Sequence, residues 1–239
     1  MKKVSAFILL LLAFGTQAAF AAPAEELKAL GFSPDGRYFA FEQRGSYEGN
    51  AYSVTALMDV ASGRLVKGSR TTYSNEERKQ LTKFRKATAK QIKKLRISPK
   101  DLMTVSVRGF DVEPFQDATV KSFALPSKWF GPESWLVLRT FKLVTQRCKS
   151  TEASPVGYGL VLERPGLPTV QLSHDVAIND SRGCPTHYRI AEVHTRRLKD
   201  GGAALAVIIQ DLTPGVAGES RGFTAVTAVV PPKIMAKAQ

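Results

Sequence analysis

Acidic residues are scarce in this chain: 21 Asp and Glu stand against 34 Lys and Arg, a formal charge of +13. That imbalance directs it toward polyanionic partners. Cysteine is equally sparse, with Cys148 and Cys184 alone, and neither a C-x-x-C pair nor a Cys/His metal spacing accompanies them, so a metal-bound or reactive thiol lacks its close second ligand. The sequence holds no G-x-S-x-G, no H-E-x-x-H, no S-x-x-K and no phosphate loop. No catalytic residue, metal ligand or cofactor is therefore assigned. Beyond the first residues no apolar run reaches the length of a membrane helix, and no Pro, Gly or Ser-rich stretch divides the chain into halves.

The long apolar run that does exist lies at the start. Lys2 and Lys3 precede an apolar segment from Val4 to Phe14, and Ala19-Phe20-Ala21 offers a small-residue cleavage site. Residues 1–21 therefore read as a secretory signal peptide, the run being too short for a bilayer core of roughly 30 Å. Ala22 follows the cleavage site where a lipid-bearing Cys would be needed for anchoring. The expected product is a periplasmic or secreted protein without a membrane span, one domain over residues 22–230, monomeric, with a tail from 231 to 239 begun by Pro231-Pro232. Losing Lys2 and Lys3 leaves 13 − 2 = +11. Inside a cell nucleic acid would be the default partner of such a charge; export replaces it with anionic envelope polymers, lipid head groups or acidic proteins, while solubility alone would also account for the charge. In an oxidising compartment Cys148 and Cys184 are expected to pair, closing a loop of about 37 residues for roughly 4 kcal/mol at most in the chain-entropy model.

Strand signals dominate the mature chain. Arg37 to Gln43, Tyr52 to Val60, Leu65 to Lys67, Thr104 to Arg108, Trp135 to Val144, Tyr158 to Glu163, Thr169 to Leu172, Tyr188 to Thr195, Ala203 to Gln210 and Phe223 to Val230 are mostly rich in β-branched, aromatic or other apolar residues. Ser33-Pro34-Asp35-Gly36, Ala61-Ser62-Gly63, Pro165-Gly166 and Asp200-Gly201-Gly202 supply the reversals. The pattern predicts a mostly β fold of antiparallel sheets, sandwich or propeller-like, with one inserted amphipathic helix. That helix is bounded by the capping box Ser74-Asn75-Glu76-Glu77 and by Pro99. At about 100° per residue, Leu81, Phe84, Ile92 and Leu95 fall on one arc, and Lys79, Lys83, Lys86, Lys90, Lys93 and Lys94 gather opposite. The lysines are either a solvated outer face or a contact for an anionic partner. Four apolar residues and no Trp do not make a membrane-inserting helix.

Gly31 to Phe41 reads as a tight turn feeding a half-buried strand, and Met58 to Val66 as strand, turn and strand. Together they resemble one blade of a β-propeller, a unit that would have to recur every 40 to 50 residues or so, where the lysine helix stands instead. The wider chain, through Gly31 to Gln43, Ser181-Arg182-Gly183-Cys184-Pro185 with Tyr188, and Pro214-Gly215, Gly218 and Arg221, resembles a bacterial family of predicted secreted proteins, domain of unknown function 2259. The resemblance implies an exported β-rich protein and brings no catalytic residues. His174, His187 and His194, with Asp175 and Asp180, form the one histidine cluster in the sequence; on a continuous strand His187 and His194, seven apart, face opposite sides, and a shared site would need a bulge. The expected function is a non-catalytic envelope binding or accessory module, with a hydrolase of an envelope polymer as the alternative.

Overall fold

The computed structural model describes residues 26–47, 50–66, 78–100, 102–106, 120–125, 130, 133–143, 145, 148, 154–178, 183–215 and 218–232. The expected signal peptide 1–21, the expected capping box 74–77, Asp180 and residues 233–239 of the expected tail lie outside them. The described residues form three four-stranded antiparallel sheets and a helix. Sheet A is a meander of β1 (Glu26–Phe32), β2 (Tyr38–Tyr47), β3 (Asn50–Asp59) and β4 (Arg64–Leu65). Helix α1 (Arg78–Lys94) and β5 (Met103–Ser106) follow. Sheet C is a second meander, β6 (Val120–Ala124), β7 (Trp135–Lys142), β8 (Val156–Glu163) and β9 (Val170–His174). Sheet B joins β10 (His187–Arg197), β11 (Ala203–Gly215) and β12 (Gly218–Val230), with β5 added beside β10.

Strand β11 explains how the sheets stack. Its sequence from Ala203 to Ile209 is an unbroken apolar run, and every one of these side chains is buried. Alternate residues point to opposite faces: Ala203, Leu205, Val207 and Ile209 enter one core with Leu136, Leu138, Leu160 and Leu162 of sheet C. Ala204, Ala206 and Ile208 enter the other, with Phe32, Phe39, Phe41 and Met58 of sheet A. Sheet B is thus the middle layer. The small Ala204, Ala206 and Ala225 on its sheet A face leave room for the three phenylalanines, whose rings Phe32 and Phe39 meet at 4.9 Å; large against small is how facing layers reach interior density. Gln43 adds a polar fastening at the rim, its amide donating to the Tyr52 hydroxyl (2.9 Å) and the Arg221 carbonyl and accepting from the Phe223 amide. Three stacked sheets are fewer than the roughly four to eight blades of a propeller, so among the described residues the fold is layered.

The first turn has the hydrogen bonds its sequence predicts. Gly36 N–H donates to the Ser33 carbonyl at 2.9 Å, and the Asp35 carboxylate accepts from Ser33 Oγ and Arg37 N–H. The helix ends earlier than Pro99 because Arg96 turns left-handed at φ 51°. Ile97 N–H then reaches back to the Ile92 carbonyl and Arg96 N–H to that of Lys93, a Schellman closure that satisfies two end carbonyls. Beyond it Ser98 pairs with Phe32, at the end of β1. Gly31, at φ 110°, is required there, since a Cβ would lie 2.0 Å from the Ser98 carbonyl oxygen. Strands β1 and β6 were not expected: β1 has only Leu27 and Ala29 half-buried against the core before Phe32, and β6 is five residues long.

Candidate functional site

Three places carry polar chemistry: the exposed side of α1, the histidines, and the outer face of sheet C. The helix lies against β3. Ala40 and Leu57, paired across β2 and β3 on the outer face of sheet A, are fully buried there, as is Thr88 of the helix. Ile92 and Leu95 are half-buried, whereas Lys86, Lys90, Lys93 and Lys94 are all exposed. Lys79 and Lys83 belong to the same helix, but their side chains, like those of Leu81 and Phe84, lie outside the described residues. From Arg78 to Lys94 the helix carries Arg78, Lys79, Lys83, Arg85, Lys86, Lys90, Lys93 and Lys94 and no Asp or Glu. It therefore has no internal acidic partner at i+3 or i+4, and none of the ion pairs among the described residues involves its lysines. Lys93 and Lys94 sit in the last turn, where the helix dipole favours positive charge.

The histidines do not form one site. His174 ends β9 in sheet C, while His187 and His194 lie on β10 in sheet B. A bulge between Ile190 and Glu192 reverses the alternation expected for a continuous strand: His187 pairs with Leu212 and His194 with Ala206, positions of equal parity on β11, so both face the same side. Six residues of strand still separate them, about 20 Å. His187 is held locally by Thr186 Oγ1 at 3.0 Å. His194 is 1% exposed, stacked on Phe39, with Nδ1 at 3.1 Å from Thr104 Oγ1 and Nε2 at 2.8 Å from Glu192 Oε2. Both ring nitrogens are thus engaged, and the imidazole pins edge strand β5 to β10 at the boundary of the aromatic core. Asp175 is buried and accepts the Tyr158 N–H at 3.1 Å, a structural role. Among the described residues no group of three or more His, Cys, Asp or Glu could hold a metal ion.

The outer face of sheet C is open. A trough of about 450 Å³ is lined by Arg139, Phe141, Gly159, Val161, Glu163, Thr169, Gln171, Ser173 and His174. Register explains its shape: Arg139, Gly159 and His174 form one row across β7, β8 and β9, so the middle of the row has no side chain. A Cβ at Gly159 would come 3.3 Å from His174 Nδ1. The His174 and Phe141 rings stack at 5.0 Å and 25°. Arg139 and Glu163 form a loose ion pair at 3.7 Å with both side chains substantially exposed. Of these residues the sequence reading singled out His174 alone. The missed signal was the alternation in Val156–Glu163, where Gly157 and Gly159 occupy the face opposite Tyr158, Leu160 and Leu162.

The sulfurs of Cys148 and Cys184 lie 2.11 Å apart with Cα atoms at 5.7 Å, a disulfide distance. They link the connection between β7 and β8 to that between β9 and β10. No helix among the described residues is long and apolar enough to cross a membrane. Comparison with curated proteins and with solved structures found no match. The model of one family, described as predicted secreted protein (DUF2259), matches residues 40–228, from near the start of β2 to near the end of β12. The chain belongs to that family of predicted secreted proteins.

Proposed function

We propose that the protein is exported by residues 1–21 as a cleaved signal peptide and acts in the periplasm, or secreted beyond it, as a non-catalytic monomeric module that binds an anionic envelope component. The contact is the lysine face of α1, formed by Lys79, Lys83, Lys86, Lys90, Lys93 and Lys94, and Cys148 and Cys184 are bonded in the mature protein. One observation carries the reading: the helix has eight basic and no acidic residues, and the four lysines described on it are exposed and outside the described ion pairs. A surface helix that served only for solubility would gain from alternating charges along it. An unbalanced face instead projects a positive field that a polyanion neutralises.

The test is co-sedimentation of the mature protein with phosphatidylglycerol vesicles, and its retention on dextran sulfate, across a salt series. Binding is expected to fall steeply as salt shortens the screening length from roughly 10 Å at 0.1 M toward 3 Å at 1 M. Lys86→Glu, Lys90→Glu and Lys93→Glu together are expected to abolish it, because the three share one side of the helix. Equal binding by the triple variant would reduce the helix to a solvated face. The hydrolase alternative is less well supported, since among the described residues the trough carries a single carboxylate, Glu163, where cleavage of a glycosidic bond ordinarily uses two.

A further inference from the structure

We infer that the trough on the outer face of sheet C is a second binding site, independent of the lysine helix, and that it takes a neutral saccharide. The chemistry of its lining selects the ligand. Arg139 and Glu163 cancel in charge, sit 3.7 Å apart and are 62% and 42% exposed, so the site is electrically balanced and either group is free to turn to a ligand. Gln171 and Thr169 each donate and accept hydrogen bonds, as sugar hydroxyls do. The planar ends of Arg139, Glu163 and Gln171 match vicinal hydroxyl pairs, because each presents two polar atoms side by side.

A sugar ring also has C–H faces, which associate with the negatively charged face of an aromatic ring. Stacked Phe141 and His174 stand at one end of the trough. Past the other end, outside the lining of the trough itself, Trp135 pairs with Glu163 across β7 and β8 and is 39% exposed. Six residues of strand separate Trp135 from Phe141, about 20 Å, so the face fits a short chain of rings better than one. The volume of about 450 Å³ lies within the usual range for small-ligand sites, roughly 300 to 1,000 Å³. Gly159 and Val161 form a floor without polar side chains, and the backbone of β8 is already paired on both sides. An extended peptide needs an unpaired strand edge for its own backbone; the floor strand β8 offers none, and the one free edge beside the trough, that of β9, lies at its margin. A polyanion is disfavoured by Glu163. With Glu163 the one carboxylate among the described lining residues, the site holds a saccharide without cleaving it.

Calorimetric titration of the mature protein with neutral trisaccharides (chitotriose, cellotriose, maltotriose) tests the inference, with a neutral hexapeptide as the competing class. At least one trisaccharide is expected to bind, with affinity changed less than twofold by 0.5 M salt, a response opposite to that of the lysine face. Arg139→Ala with Gln171→Ala should weaken it at least tenfold. Gly159→Val should abolish it by filling the floor, with circular dichroism and the thermal midpoint confirming that each variant folds; should Gly159→Val not fold, the exposed double substitution decides alone. Lys86→Glu with Lys90→Glu and Lys93→Glu should leave trisaccharide binding unchanged, which separates this site from the lysine face whatever the fate of either. No heat with any trisaccharide, binding indifferent to the double substitution, or binding of the peptide in place of the sugars would each overturn it.

Discussion

The two outer faces of the sheet stack are built from the same kind of antiparallel meander and end differently. On sheet A, Ala40 and Leu57 are fully buried where α1 lies against β3. On sheet C, the matching face keeps Gly159 at the centre of a row, with Arg139 and His174 on either side. A covered face can be apolar because a helix removes it from water; an open face must be polar or serve as a binding surface, since large exposed apolar patches are rare on soluble proteins. The comparison teaches how each side meets solvent. Sheet A hands its surface role to the charges of the helix that covers it, whereas sheet C exposes its own side chains.

Equivalent truncations on the two faces should therefore differ in cost. Leu57→Ala removes a fully buried side chain, and a loss of roughly 2 to 5 kcal/mol is expected. Val161→Ala, on the partly exposed floor of the trough, should cost well under half of that, because little apolar area returns to water. Urea denaturation of both variants measures the difference. Similar losses would mean that the trough floor is as much a core as the surface beneath α1.

Next in size is the staple on the sheet C side. The separation of Cys148 and Cys184 is 36 residues, and replacing both by Ser is expected to cost about 2 to 4 kcal/mol by the chain-entropy argument. Non-reducing mass spectrometry of the exported protein should find it lighter by two hydrogens than its reduced form. Alkylation of two free thiols without prior reduction would remove both the bond and its contribution.

Most of the fold was legible in the sequence because strands leave a local signature. Ten of the strands coincide with runs of β-branched, aromatic or other apolar residues. The layering was not legible, because which sheet covers which depends on pairing between distant segments: β5 joins β10 across some ninety residues, as His194 and Thr104 illustrate. The lysine face was visible because helical periodicity is local. The trough was not, because its row of Arg139, Gly159 and His174 is assembled by register between three strands. The bulge beside Glu192 shows the same limit, since an extra residue turns His187 and His194 to one face against the parity of their spacing.

The smallest expected effect sharpens the comparison from the sheet A side, where two turn carboxylates are tied to their own backbone. The Ser33 hydroxyl, followed by the Arg37 N–H, holds Asp35 below the usual carboxylate range against the opposing effect of desolvation. The Ser62 N–H leads in lowering Asp59, with the Ser62 hydroxyl and Arg37 adding to it. A carboxylate whose folded value is depressed contributes stability that is complete above its unfolded value, near 3.9, and disappears as the pH falls through the folded value. Asp35→Asn and Asp59→Asn are therefore expected to lower the thermal midpoint at pH 7, and the gap from the parent protein should close as the pH falls below the unfolded carboxylate value and through the depressed folded values. Both groups stand at turns of sheet A, Asp35 between β1 and β2 and Asp59 at the end of β3, so amide exchange at low pH should quicken first at those turns and later in β7 and β8. A gap that stayed constant with pH would show that the turns are held by backbone geometry alone, with the carboxylate charges contributing nothing.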